Sequence, residues 1–214
     1  MVETGRYVHL VDDDEAIRRS ASFMLRTSGY LVKTYATGVE FLGQAKDVPP
    51  GCILLDVRMP EMDGLEVQAA LRECGVLLPV IVMTGHGDIN TAVEAMKLGA
   101  VDFIEKPFEK AVLVNALETG FERLEKSAKR HDRAEEARVK LGVLTPRELD
   151  VMRGLVRGHP NKTIAYDLDI SPRTVEIHRA NLMTKLEVRS LSEALRIAFA
   201  AGLGGEDGED DADS

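Results

Sequence analysis

Residues 51–60 read Gly51-Cys52-Ile53-Leu54-Leu55-Asp56-Val57-Arg58-Met59-Pro60. Residues 52–55 are uniformly apolar, have the length of a strand, and stop abruptly at a carboxylate. A run without polar alternation fits a strand covered on both faces. Further strand candidates occupy residues 7–11, 31–35, 80–83 and 102–105. Between and after them lie segments 15–28, 39–45, 65–74, 90–98 and 109–122, each with apolar positions three and four apart, the helical spacing. Gly29, Gly75 and Gly99 fall where helix C-termini are due. Strand and helix in alternation, with short connections, imply a parallel sheet with helices on both faces. The expectation is one α/β, doubly wound, five-stranded domain.

In such a sheet ligands bind beyond the carboxyl ends of the strands. The first strand is followed by Asp12-Asp13-Asp14 and the third ends at Asp56. The fourth runs into Thr84-Gly85-His86-Gly87 and the fifth into Lys106-Pro107-Phe108. All four groups fall on one rim. Carboxylates from two strands repel each other unless a cation joins them. Hard oxygen donors with room for water suit Mg²⁺ better than zinc. With a Lys and a Thr hydroxyl added, the rim describes a pocket for a dianionic phosphoryl group, with a carboxylate as nucleophile. Taken singly, each signal has a plainer meaning: an Asp run caps a helix, and a Lys before Pro is solvated. It is their coincidence at successive strand ends that carries weight.

The segments Val11-Asp12-Asp13, Leu55-Asp56-Val57-Arg58-Met59-Pro60, Met83-Thr84-Gly85-His86-Gly87 and Asp102-Phe103-Ile104-Glu105-Lys106-Pro107-Phe108 resemble a response-regulator receiver domain, over roughly residues 5–123. The resemblance implies a flavodoxin-like fold and assigns roles. Asp56 is the phosphoacceptor. Asp13, Asp56 and the backbone carbonyl of Arg58 bind Mg²⁺, for which Mn²⁺ is a substitute, and Asp12 reaches the ion through water. Thr84 and Lys106 hold phosphoryl oxygens, Thr84 and Phe103 form the switch, and the Lys106–Pro107 bond is cis. The implied donor is a phosphohistidine on a sensor histidine kinase. Asp14 is an additional acid, expected to cap the first helix. Cys52, His9, Met59, Met62 and Met83 read as packing residues, Cys74 as at most weakly reactive, and His86 as a solvated loop residue.

Residues 109–139 keep a helical composition without Pro. Leu113, Leu117, Phe121, Leu124 and Ala128 continue one face, so the last helix is expected to run beyond residue 124. His131-Asp132 has only a superficial likeness to a kinase phosphorylation box. Thr145-Pro146-Arg147-Glu148 then opens a helix with an N-cap, a Pro at the first position and a capping box. Asn161 is expected to cap a short helix. A break at Asp169-Ile170 follows, and Ser171-Pro172 begins a third helix. A fourth spans roughly residues 190–201. Four short helices with a tight break between the second and third describe a helix-turn-helix unit. On the third helix Val175, Leu182 and Leu186 stack on one side. Arg173, Glu176, Ile177, Ala180 and Thr184 face the other, flanked by Asn181, which suits a major groove. Ile177 taken alone also fits a scattered surface residue. Lys162, Arg173 and Lys185 are phosphate candidates, Thr174 lies at the helix start, and Arg179 is expected to pair with Glu148.

Leu144-Thr145-Pro146-Arg147-Glu148, Asn161-Lys162-Thr163-Ile164-Ala165 and residues 170–178 resemble the LuxR-type output domain. Thr163 departs from the pattern where an acidic residue is common. Receiver plus LuxR-type output resembles the FixJ-like class of two-component regulators. That implies a transcription regulator rather than an enzyme, double-stranded operator DNA as ligand, RNA polymerase as a further candidate partner, and a homodimer formed on phosphorylation. The dimer face would comprise the fourth helix, fifth strand and fifth helix, near residues 92–112. The expected layout is a receiver over 1–123, a charged helical linker over 124–140, the helix-turn-helix domain over 141–203 and a disordered acidic tail over 204–214.

The 214 residues carry 27 basic and 36 acidic side chains, net −9, which by itself argues against DNA. The partition removes the objection. Residues 1–120 hold 11 basic and 18 acidic groups, 141–203 hold 9 and 7, and 204–214 hold none and 6. Two Cys exclude a disulfide scaffold and offer no zinc spacing. No run reaches membrane-spanning length, and the opening residues do not resemble a signal peptide, so a cytoplasmic location is expected. An aspartyl-phosphate phosphatase would also use a strand-end Asp with Mg²⁺, but it places a second Asp two residues on, where Arg58 stands. A constitutive DNA binder with a vestigial receiver is disfavoured by the full set Asp13, Asp56, Thr84 and Lys106.

Overall fold

A computed structural model describes residues 5–85 and 89–204; His86 and residues 205–214 lie outside it. The chain divides into two compact units, residues 1–127 and 128–214.

The first unit holds strands β1 (Tyr7–Val11), β2 (Leu31–Tyr35), β3 (Gly51–Asp56), β4 (Val80–Thr84) and β5 (Asp102–Glu105). All pairs are parallel, in the order β2-β1-β3-β4-β5. Helices α1 (Glu15–Arg26), α2 (Gly38–Leu42), α3 (Gly64–Glu73) and α4 (Ile89–Lys97) alternate with the strands. Helix α5 (Lys110–Leu141) follows β5 and continues into the second unit. The order reverses around β1 and β3, which makes their carboxyl ends the crevice of a doubly wound sheet. Strand β3 is buried throughout, as its unbroken apolar run requires. Cys52 and Leu54 enter one core with Leu25, Leu113, Leu117 and Phe121; Ile53 and Leu55 enter the other with Phe41, Val67, Leu71 and Ala95. Leu54 is fully buried, and truncating it to Ala would cost about 2–5 kcal/mol. Burial pushes the Cys52 thiol up to about 12, so it packs rather than reacts. Asp14 caps α1, accepting from the backbone N–H groups of Ala16 and Ile17. The Lys106–Pro107 bond is cis.

In the second unit the end of α5 buries Ala137 and Leu141. Helices α6 (Pro146–Val156), α7 (Asn161–Asp167), α8 (Pro172–Lys185) and α9 (Leu191–Ala200) follow. Thr145 caps α6 in a reciprocal box with Glu148, and Ser171 caps α8. Asp169, with φ of 53°, makes the turn between α7 and α8. Val151, Met152, Leu155, Ile164, Val175, Leu182, Ala194 and Ala198 form the core.

Two expectations are corrected here. Asn161 does not cap α7; Pro160 occupies that position without a side-chain bond. Arg179 does not pair with Glu148; its Nη1 donates to Asn161 Oδ1 at 2.7 Å. Both corrections have one cause. Asn161 spends its carbonyl oxygen on Arg179, tying α7 to α8, and Glu148 is taken by Lys185 at 2.7 Å instead.

Candidate functional site

Four strand ends deliver the expected groups to one rim. Asp56 is the last residue of β3 and is 5% exposed; Thr84 ends β4 and is 2% exposed; Asp12 follows β1 and is fully buried. Lys106 follows β5, and its Nζ lies 2.6 Å from Asp12 Oδ2 and 2.9 Å from Asp56 Oδ1. One ligand oxygen from each of Asp12, Asp13 and Asp56 falls within 4.8 Å of the others. Asp13 is the exposed member. The Asp12 carboxylate is further fixed by the Asp14 N–H, 2.9 Å from Oδ1. Arg58 is exposed, two residues beyond Asp56. Phe103 is half-buried and packs on the core that holds Ile53 and Leu55.

The electrostatics follow from burial. Loss of water raises the pKa of Asp56; hydrogen bonding and charge from Lys106 oppose the rise, while Asp12 and Asp13 add to it. The net direction is up, so the ionised nucleophile is held at a cost. Burial alone would lower Lys106, but its bonds to Asp12 and Asp56 reverse the sign and raise it, keeping it cationic. Three carboxylates facing one another with a single ammonium fit a hard divalent cation: oxygen donors only, converging, and open on the Asp13 side.

Sequence reading missed two supports of this site. Gly64, at the start of α3, donates its N–H to the Val57 carbonyl at 2.9 Å, and a Cβ there would stand 2.2 Å from the Asp56 carbonyl oxygen. Only glycine lets the helix approach so closely. Its signal was the Gly in Met62-Asp63-Gly64, just beyond the strand end. Arg18 on α1 reaches back to the Asp12 backbone carbonyl at 2.6 Å; nothing in its spacing marked it.

The second candidate surface is the solvent side of α8. Arg173, Glu176, Ile177, Ala180, Asn181 and Thr184 are exposed, Ile177 to 53%. Thr174 is half-buried and shares a hydrogen bond with Ser171 Oγ at 2.8 Å. Lys162 is exposed on α7. Lys185, expected to meet phosphate, is engaged by the buried Glu148 at 2.7 Å. His178 lies half-buried on α8. Val175 and Leu182 point the other way, into the core. Among the described residues no helix is long and apolar enough to cross a membrane.

Residues 8–118 match the response regulator receiver domain family, and residues 142–198 match the luxR family of bacterial regulatory proteins. The chain belongs to the response-regulator family. It is 49% identical to the transcriptional regulatory protein FixJ of Rhizobium meliloti (strain 1021), over 94% of this chain and 98% of that one. It is 42% identical to the tetrathionate response regulatory protein TtrR of Salmonella typhimurium (strain LT2), over 88% of this chain and 90% of that one. Among solved structures, full-length FixJ from B. japonicum is similar at a TM-score of 0.58 and 43% identity, covering 92% of this chain and 98% of its own. The response regulator StyR is similar at a TM-score of 0.72 and 36% identity, covering 92% and 99%. This response regulator is therefore a DNA-binding transcription regulator with a receiver domain and a LuxR-type domain. A receiver implies a sensor kinase as partner, and the LuxR-type domain implies DNA.

Proposed function

We propose that Asp56 accepts a phosphoryl group from the phosphohistidine of a sensor histidine kinase, and that this favours dimerisation and sequence-specific operator binding. The observation that carries the reading is the position of Lys106 Nζ, within 2.9 Å of Asp56 and 2.6 Å of Asp12. An ammonium so placed bridges the nucleophile and the acidic pocket. Asp56 attacks phosphorus, the P–N bond breaks with its electron pair returning to the imidazole, and an acyl phosphate forms on Asp56. Lys106 and Thr84 then hold phosphoryl oxygens. Asp13, Asp56 and the Arg58 carbonyl, with Asp12 through water, would hold Mg²⁺ or Mn²⁺, which supplies charge neutralisation for the carboxylate and phosphoryl oxygens. Thr84 moves toward the new phosphoryl group and Phe103 takes the space it leaves, a local charge event biasing a packed two-state element. Moving that element from 1:99 to 99:1 takes about 5.5 kcal/mol of differential interaction.

The proposed dimer face comprises α4, β5 and the start of α5. Ile89, Val93 and Met96 form an exposed apolar row at helical spacing, with Val112 also exposed, a pattern suited to association. The proposed reading residues are Lys162, Arg173, Thr174, Glu176, Ile177, Ala180, Asn181, Thr184 and Lys185. The proposed layout is a receiver over 1–123, a linker over 124–140, a DNA-binding domain over 141–203 and an acidic tail over 204–214, in a cytoplasmic protein that works with RNA polymerase. The test is size and label incorporation with a small phosphodonor and Mg²⁺. The wild type should take up phosphate and increase in mass, and the Asp56→Asn variant should do neither. Labelling of Asp56→Asn would place the acceptor elsewhere.

A further inference from the structure

We propose that Arg18 is a positioning residue for the metal site, acting through the peptide that joins Asp12 to Asp13; the proposal rests on the reading of Asp13 as a ligand. Arg18 sits one turn into α1 and is half-buried. Its Nη1 donates to the Asp12 carbonyl oxygen at 2.6 Å, a charge-assisted bond. Asp12 needs no help with its own carboxylate, because Lys106 and the Asp14 N–H already hold its two oxygens, and its N–H donates to the Tyr35 carbonyl at 3.2 Å. Asp13 is differently placed. Among the described residues no side chain or N–H hydrogen-bonds its exposed carboxylate, so the backbone sets its direction.

The peptide unit is planar. The Asp12 carbonyl and the Asp13 N–Cα bond therefore belong to one rigid plate. Clamping the carbonyl oxygen fixes the tilt of that plate and the axis of the Asp13 N–Cα bond, leaving rotation about that one bond as the remaining backbone freedom that turns the Asp13 Cβ. Arg18 thus aims a ligand that it never touches. Its cation also stands beside a turn carrying three successive carboxylates, where it offsets their mutual repulsion before any divalent ion arrives. Removing the guanidinium leaves the Asp12 carbonyl without this donor and lets the plate rotate.

The test measures metal binding directly, with Mn²⁺ alone as probe and the full chain in solution, by following free Mn²⁺ by electron paramagnetic resonance. Melting of each protein in EDTA is recorded beside it by circular dichroism. Arg18→Met keeps the aliphatic stem and should weaken Mn²⁺ binding about tenfold or more, the usual cost of losing a group that orients a ligand. Arg18→Lys, with a shorter but cationic side chain, should recover part of the loss. A purely structural role would lower the metal-free melting temperature and leave Mn²⁺ affinity alone, and that result would overturn the proposal. Asp13→Asn is the control. If it abolishes binding while Arg18→Met binds as the wild type does, the role of Arg18 fails by itself. If Asp13→Asn binds as tightly as the wild type, the ligand reading fails and the Arg18 role goes with it.

Discussion

The receiver pocket and the α8 surface treat charge in opposite ways. In the pocket Asp12, Asp56 and Thr84 are buried and Lys106 is nearly so, and those same groups are the ones proposed to perform the chemistry. On α8 most of the proposed reading groups face solvent, and one of them, Lys185, is also engaged by the buried Glu148, which ties α6 to the end of α8. Proposed function and stability are therefore opposed in the first unit and, Lys185 apart, separable in the second. Burying like charges is costly in itself, whereas exposed polar groups cost the fold almost nothing.

The sharpest way to break this comparison is Asp56→Asn. Phosphoryl transfer should vanish, yet the fold should be as stable as before or more so by about 1 kcal/mol, because one buried carboxylate is gone. Urea unfolding of the two proteins checks it; a large loss of stability would mean that Asp56 is a structural charge partner. Next is Lys185→Ala, which leaves Glu148 buried and unpaired. Thermal unfolding of the second unit should show a loss of about 2–3 kcal/mol, reduced from the fully buried case because the Lys185 side chain is 38% exposed. Arg173→Ala should do the reverse: stability within about 0.5 kcal/mol of wild type, but operator affinity down by about 1–3 kcal/mol if it reads a base. A shallower salt dependence with uniform weakening across sequences would mark it as a phosphate contact instead.

Acidity separates the two regions more finely. The Asp56 pKa is raised in the fold, so its cost is fully present above the folded value and disappears as pH falls toward the unfolded value of about 3.9. The stability gap between Asp56→Asn and wild type should therefore narrow between pH 7 and pH 4. For Glu148, burial pushes up but the bonds to Lys185 and Thr145 prevail, and its pKa is lowered. Its contribution is present above the unfolded value of about 4.3 and is lost as pH falls through the folded one. Comparing wild type with Glu148→Gln over the same range should show a gap that closes only below about pH 4.3. The smallest effect expected is from deleting residues 204–214. Removing six acidic groups should leave the fold unchanged and tighten non-specific DNA binding at low salt. Weaker binding after deletion would give that segment a positive role.

The sheet was legible because its central strands β3 and β4 are buried throughout and read as apolar runs that end at a polar residue; residues 52–55 needed extending only to Gly51 and Asp56. The pocket was legible because all its side chains sit at strand ends, where topology brings them together. Helix caps at Asp14, Thr145 and Ser171 were carried by local chemistry. What failed was side-chain pairing across helices. Arg179 and Lys185 both lie toward the core side of α8, and periodicity does not tell which of two cations meets Glu148. The answer depends on where α6 and α7 cross α8. Arg18 was hidden for the same reason: its partner is a backbone oxygen, which no residue type announces. Gly64 escaped because close approach is a property of packing.

The central claim is that charge added at Asp56 changes what the α8 surface does. The most direct measurement is the affinity of the full chain for an operator fragment selected with the phosphorylated protein, taken with and without phosphodonor at two salt concentrations, for wild type and Asp56→Asn. Wild type should bind about tenfold or more tightly when phosphorylated, at both salts, while Asp56→Asn stays at the lower affinity throughout. Equal affinity of phosphorylated and unphosphorylated wild type would contradict the account, leaving two competent sites in one chain with no coupling between them.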